Sequence, residues 1–238
     1  MNRLLVGTLA AAALTVGLGV GLTLAVTRPA GPGVTSAYPS ALGGALAPGW
    51  MSGGTLPRSM MGGGANPGRV MGTVLATAPG PRVSLAAADH LSDRTPAAAV
   101  VNRAQRRITF HGGSVVLAAV ASGPAAPMYS FEIAGIVNPT IVVPARAHVS
   151  IEVANRDTDM AHGLVIAAEG AASSWMPMMA AAPAFPGAAV WVLGDATSAG
   201  LHATTMHFTA GAPGTYQYLC PVPGHAAGGM VGTLTVTG

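Results

Sequence analysis

From about residue 98 onward the chain is a series of short β-rich runs cut apart by turn residues, and that rhythm leaves few architectures open. RITF, SVVLAAV, YSFEIAG, TIVV, HVSIEVAN, HGLVIAA, AVWVLG, TTMHFTA, TYQYLC and MVGTLTVTG are all of strand length. The breaks between them, HGG, SGPAAP, VNP, PARA, NRDTD, FPG and GAPG, carry the Gly, Pro, Asn and Asp that turn a chain. In HVSIEV, Val149, Ile151 and Val153 fall on one face and His148, Ser150 and Glu152 on the other. In TYQYLC, Tyr216, Tyr218 and Cys220 share a face. That period of two is the pleat of a half-buried strand. Residues 98–238 are therefore expected to form one all-β domain, an antiparallel sandwich or barrel. No internal repeat is evident.

What precedes this domain is of a different kind. Residues 4–27, LLVGTLAAAALTVGLGVGLTLAVT, contain no charge, and a run of that length can cross a bilayer as one helix. Arg3 precedes it and Arg28 follows, a weak bias toward a cytoplasmic N-terminus. The alternative is a cleaved export signal. The apolar run exceeds the usual core of such a signal, and no small-x-small site lies directly after it; Thr35-Ser36-Ala37 is too far along. A retained anchor over residues 1–28 is the expectation, and either reading exports the rest. Residues 28–69 hold 11 Gly and 6 Pro without a collagen period, the composition of a flexible tether, with an r.m.s. span of roughly 35 Å. The linker is drawn over residues 29–97, although VSLAAADHL could form a short helix before the stop at Pro96. Met51, Met60, Met61 and Met71 lie in or just after the tether; thioethers can capture Cu(I), but no His or Cys accompanies them and they read as adventitious.

The charge divides the same way. Residues 1–97 contain six Arg and two Asp, and residues 98–238 contain five Arg against six acids, so the excess of positive charge lies in the N-terminal part. Nucleic-acid affinity needs clustered cations. The short Arg103, Arg106, Arg107 group reads as a solvated edge, and nucleic acid is not an expected partner.

One cysteine, Cys220, stands in the whole chain. It excludes an intrachain disulfide, and a lone thiol outside the cytoplasm is a liability unless something occupies it. Cys220-Pro-Val-Pro-Gly-His225-Ala-Ala-Gly-Gly-Met230 puts a thiol, an imidazole and a thioether five residues apart on one loop. Thiolate and thioether suit reduced copper, imidazole suits both oxidation states, and two His, one Cys and a weak axial Met make a blue-copper site. A His and a Met at two fixed offsets from the only Cys would arise by chance with a probability of about 0.0015, several-fold more if other offsets count.

Such a site needs a second His. His90 lies outside the β domain, His111 sits beside a Gly-Gly turn, and His148 points to the polar face of its strand. With GAPG read as joining two paired strands, His207 falls ~15 Å from the Cys end at ~3.3 Å per residue, and His202 falls nearer. His162 follows the turn that starts at Asn155 and opens the strand HGLVI, a rim position that can face an ion. His162 is preferred, with His202 as its rival.

GTYQYLCPVPGHAAGGMVGTLTV resembles the copper loop of the cupredoxins, most closely that of the rusticyanin and sulfocyanin-like proteins. The resemblance extends upstream through RITFHGGSVVLAAV, FEIAGIVNPTIVVPA and the stretch from Asn155 to His162, and covers about residues 105–238. It implies a Greek-key β-sandwich holding one type 1 copper, with His162, Cys220, His225 and Met230 as its ligands. It thereby decides for His162 over His202. One departure stands out: the residue after the first His often has a side chain that bonds around the site, and here it is Gly163.

The expected activity is one-electron outer-sphere transfer and not an enzymatic reaction, since the remaining His residues form no H-x-H pair or second metal cluster. The expected partners are redox proteins of cytochrome or oxidase type that dock near His225, whose ring edge should break the surface among Pro221, Val222, Pro223, Ala226 and Ala227. Trp175, Met176, Pro177, Met178 and Met179 would either extend that apolar patch or belong to the core. The chain is expected at the outer face of the cell membrane, or secreted if residues 4–27 are removed. The alternative reading is a copper carrier or store of the cell envelope.

Overall fold

The computed structural model describes residues 66–238. Two helices frame a short strand at the start: α1 (Pro67–Leu75), β1 (Arg82–Val83) and α2 (Leu85–Asp93). The strands that follow are β2 (Ala99–Asn102), β3 (Arg107–Phe110), β4 (Ser114–Ala121), β5 (Phe131–Ile133), β6 (Ile136–Val137), β7 (Thr140–Pro144), β8 (His148–Asn155) and β9 (His162–Ala168). A one-turn helix, α3 (Pro177–Ala180), leads to β10 (Ala189–Leu193), β11 (Leu201–Thr209), β12 (Gly214–Leu219) and β13 (Val231–Thr237).

These strands make a six-stranded sheet, β1-β11-β8-β4-β5-β6, and a seven-stranded sheet, β10-β9-β12-β13-β7-β3-β2. Alternation explains which side faces in. Val149, Ile151 and Val153 of β8 and Val115 and Leu117 of β4 join Ile141, Leu164, Ile166, Tyr218 and Leu234 of the other sheet in one buried cluster. The expected β-sandwich is present, but it is not purely antiparallel: β4 runs parallel to β8, β3 to β7, and β7 to β13. The chain crosses between the sheets at β7–β8, β8–β9, β10–β11 and β11–β12, and crossing over is what brings parallel neighbours together.

The GAPG turn also departs from expectation. β11 pairs with β8 and β1, while β12 pairs with β9 and β13, so the two strands on either side of the turn lie in different sheets. The four residues between them reach up to ~13 Å when extended, enough to step across the ~10 Å that separates stacked sheets. The strand-rise argument against His207 therefore used a pairing that does not form.

Residues 66–97, placed on composition at the end of the linker, carry regular structure. Asn66 caps α1 by accepting from the Gly68 amide at 2.9 Å, and Pro67 occupies the first helical position, both good starting signals. Ser84 caps α2 through the Ala87 amide at 3.1 Å, and VSLAAADHL does form the short helix anticipated for it. Leu91 of α2 packs on Ala118, Val120, Ala154 and Ala203. Met71, far from being a surface thioether, is 2% exposed and part of the main core. Residues 4–27, Met51, Met60 and Met61 lie outside the described residues. Among the described residues no helix is long and apolar enough to cross a membrane.

Candidate metal centre

The central strand β12 sets the site. Leu219 lies opposite Val165 of β9 and Val231 of β13, so the next residue, Cys220, emerges at the sheet end beside the start of β9. The Cys220 amide donates to Met230 O at 3.0 Å and closes the loop at its base. Within the loop, His225 N donates to Val222 O at 3.2 Å, Gly228 N to Gly224 O at 2.9 Å and Met230 N to His225 O at 2.9 Å. This internal bonding turns His225 inward. Among the described residues, His162, Cys220 and His225 form the one group able to hold a metal, with ligand atoms all within 4.8 Å of one another.

The separations fit an ion. His162 Nδ1 stands 3.9 Å from Cys220 Sγ, His225 Nδ1 stands 3.5 Å from it, and the two Nδ1 atoms are 3.1 Å apart. Three donors about 2.1 Å from a shared ion in one plane would lie ~3.6 Å from each other. All three side chains are buried, as is that of Met230. Burial pushes the Cys220 thiol up to about 12, although the Gly163 and Val222 amides that donate to its sulfur pull the other way. Burial, with the neighbouring His162, pushes His225 down to about 3. Without a cation the pocket thus prefers a neutral thiol and a neutral His225 ring; a bound metal reverses this for the thiol, which coordinates as thiolate.

The outer edge of His162 is held by polar groups that the residue pattern did not single out. Its Nε2 lies 3.1 Å from Asp157 Oδ2 and 3.3 Å from Ser122 Oγ. With Nδ1 turned to the cluster, Nε2 carries the proton and donates it to the carboxylate, which fixes the tautomer. Burial raises the Asp157 carboxyl, but the His162 N–H and the Asp159 amide outweigh it and hold the group well below the usual range. Buried Asn155 shapes the turn: its Nδ2 donates to Met160 O at 2.9 Å, Leu193 O at 3.1 Å and Gly194 O at 2.9 Å, and its Oδ1 accepts from Asp157 N at 3.0 Å. The only available signal for Asp157 was a carboxylate in the turn five residues before His162.

Gly163 also acquires a reason. A β-carbon there would meet Trp191 O at 2.3 Å and Val190 O at 2.4 Å, where the β9–β10 register slips between Val190 and Leu193. The neighbouring strand fills the space that a side chain would need.

His202, the rival, is buried elsewhere: its Nε2 meets Ala76 O at 3.0 Å. His90, His111, His148 and His207 are exposed. The expectation of a surface edge at His225 is not met. That residue is 1% exposed, its ring packs on Tyr129 at a centroid distance of 4.8 Å, and α1 covers the remaining edge. The apolar residues nearby divide: Trp175 and Met179 are 62% and 71% exposed, Pro177 is buried, and Met178 packs against the core. A cleft of about 600 Å³ lined by Pro67, Tyr129, Trp175, Pro223, His225 and Ala227 opens beside the loop.

Rusticyanin of Acidithiobacillus ferrooxidans is 34% identical over 129 residues, 54% of this chain and, for two sequences of that protein, 66% or 80% of the relative's length. Rusticyanin of Acidithiobacillus ferridurans is likewise 34% identical over 129 residues, with 66% of its length covered. The solved structure of reduced rusticyanin superposes with a TM-score of 0.54 at 27% identity, over 66% of this chain and 99% of that one. Rusticyanin from Thiobacillus ferrooxidans gives 0.54 at 26% identity, over 66% of this chain and 96% of that one. The family model of the sulfocyanin (SoxE) domain matches residues 107–238, more than half of the sequence, and the chain belongs to that family of cupredoxins.

Proposed function

We propose that this chain is a mononuclear blue-copper electron carrier in which His162, Cys220 and His225 would hold one copper ion, with the Met230 thioether as the weakest of four donors. The observation that carries the reading is the convergence of two imidazole nitrogens and one buried sulfur at 3.1–3.9 Å from one another, a donor set of two N and one S that suits copper in both oxidation states. Bound copper would supply a single-electron couple; the protein supplies a rigid, dry enclosure. Asp157 and Ser122 hold His162, the Gly163 and Val222 amides hold the sulfur, and the hydrogen-bonded loop holds His225 and Met230. Groups held this way shift little when the charge of the ion changes. Donors buried this completely also favour a resident ion over the rapid exchange that a copper carrier or store would need.

The partner in this reading is a redox protein of cytochrome or oxidase type that docks near His225. The exposed Trp175 and Met179 and the cleft beside the loop support such a face, since contiguous apolar surface marks interaction sites. The apolar, uncharged run at residues 4–27 supports placement at the outer face of the cell membrane.

Visible absorption and EPR spectra of the copper-loaded protein test the reading. An intense thiolate-to-copper band with a type 1 signal is expected; a colourless protein with a tetragonal Cu(II) signal would refute it. His162→Ala should abolish the band and His202→Ala should leave it, and the reverse result would move the ligand to β11.

A further inference from the structure

Helix α1 lies outside residues 107–238, which the family model matches, and the electron-carrier reading assigns it nothing. Its first turn is pressed against His225. A β-carbon built on Gly68 would fall 2.5 Å from His225 Nε2 and 2.9 Å from Cε1. The bare backbone of the helix therefore touches the imidazole edge that faces away from Cys220, and glycine alone leaves room for it. One turn later the same helix face repeats the arrangement: a β-carbon on Gly72 would fall 1.7 Å from Asp195 Oδ1 and 2.9 Å from Ala161 N.

The contact is fastened along its length. Gly68 O accepts the amide of Ala161, the residue before His162, at 2.8 Å, and Gly72 O accepts that of Asp195 at 3.0 Å. Arg69 pairs with Asp159. Met71 enters the main core, and at the far end Arg82 and His202 both bond Ala76 O, at 2.7 and 3.0 Å. The result at the site is unusual: His225 Nε2 is buried and has no hydrogen-bond partner. Buried polar groups nearly always find one, and each exception needs a reason.

We propose that Gly68 is a positioning residue for the redox centre, seating α1 as a dry lid on the outer edge of His225 so that the site works at a higher reduction potential than an uncovered imidazole would allow. The inference rests on the copper reading. Two effects act in the same direction. Excluding water lowers the local dielectric, which disfavours the oxidised centre because it carries one more positive charge. The first turn of a helix also presents partial positive charge, and that too favours the reduced centre. Reduction then adds one electron and no proton, because His225 Nδ1 would be held by the ion and Nε2 already carries the ring hydrogen.

The test uses the full chain with Gly68→Ala, Gly68→Leu and, as a control, Gly112→Leu, where a β-carbon meets nothing within 4 Å. In the copper-free protein, acylation by diethyl pyrocarbonate, mapped by peptide mass spectrometry, should modify His225 at least roughly tenfold more slowly than exposed His111 and His148, as expected where reaction waits on local opening. Gly68→Leu should abolish that protection and Gly112→Leu should keep it. In the copper-loaded protein the potential should fall in the order wild type, Gly68→Ala, Gly68→Leu, with the visible band retained. His225 acylated as fast as His111 in the wild type, or a potential unchanged in the Gly68 variants, overturns the proposal. If Gly68→Leu fails to fold, Gly68→Ala gives the same two readouts. A missing visible band in the wild type would refute the copper reading, while the acylation pattern would still decide whether the lid exists.

Discussion

His162 and His225 face each other across 3.1 Å, yet their outer edges meet opposite surroundings. Behind His162 stand a carboxylate and a hydroxyl, themselves organised by the buried amide of Asn155. Behind His225 stand the Tyr129 ring and the backbone of α1, and no hydrogen-bond partner. A polar surround fixes a side chain by direction; an apolar one fixes it by volume and controls what reaches it. The difference assigns orientation to the first side of the site and access to the second.

The polar side should be the costlier to break. Asn155→Ala would strip the donor from Met160 O, Leu193 O and Gly194 O together, and unsatisfied buried groups are expensive. A loss of about 3–5 kcal/mol is expected, measured by denaturant unfolding of the copper-free protein. A loss below ~1 kcal/mol would mean that the turn is held by something else.

On the lid side the sharpest probe is Asp195, which packs beneath Gly72. Its Oδ2 accepts from Thr73 at 3.4 Å, while Oδ1 is buried without a partner. Burial, opposed by the Thr73 bond and reinforced by Asp157 and Asp159, raises its carboxyl from 3.8 to about 6. A carboxyl raised by folding binds its proton more tightly in the folded chain. It therefore supports folding fully below about pH 4, and that support is lost as pH rises through about 6. Roughly two pK units set a ceiling of ~3 kcal/mol. Asp195→Asn stays neutral, so it should match the wild type near pH 4 and exceed it by up to ~3 kcal/mol near pH 8. A wild-type unfolding midpoint that is flat over this range would remove Asp195 from the account of the lid.

Asp157→Asn tests the polar side without dismantling it. The amide can still meet His162 but carries no charge. Copper affinity should fall about 10–100-fold, the usual effect of losing a partner behind a ligand, read by competition with a chelator of known affinity. The potential should rise, because an anion that stabilised the oxidised centre is gone. A fall in potential would show that the carboxylate acts only through geometry.

How much of this could be read from residues alone follows from the same contrast. The sandwich was legible because Val149, Ile151 and Val153, and likewise Tyr216, Tyr218 and Cys220, alternate with the pleat. Cys220 and His225 stood out, with Met230, because three unusual donors share one loop, whereas position in the strand left His162 with a rival in His202 that only the family resemblance removed. Parallel pairing and the step of GAPG between sheets were not, since local pattern does not say which sheet receives a strand. Asp157 was not, because an acid in a turn is ordinary until its neighbour is known. Least legible was α1: Gly68 read as tether by composition, Gly72 fell in the linker drawn after it, and glycine disfavours a helix by propensity. Their purpose lies in contacts with His225 and Asp195, more than a hundred residues away.

The smallest effect is expected at Trp175, on the rim of the apolar side. The residue is 62% exposed, its carbonyl accepts the Gly224 amide at 2.9 Å, and its ring lies where a β-carbon on Gly224 would fall, 2.8 Å from the nearest ring atom. Trp175→Ala keeps the carbonyl and removes only the exposed ring, so stability should stay within ~0.5 kcal/mol and the visible band should not change. If this rim is where a redox partner docks, the second-order rate of electron exchange should drop by roughly fivefold, the loss of about 1 kcal/mol that separates a contributing interface residue from a bystander. The same substitution should leave the rate with a small inorganic oxidant nearly unaltered, because such a reagent needs no apolar face. Equal losses with both reagents would place the effect inside the site, and no loss with either would move the docking face away from the loop.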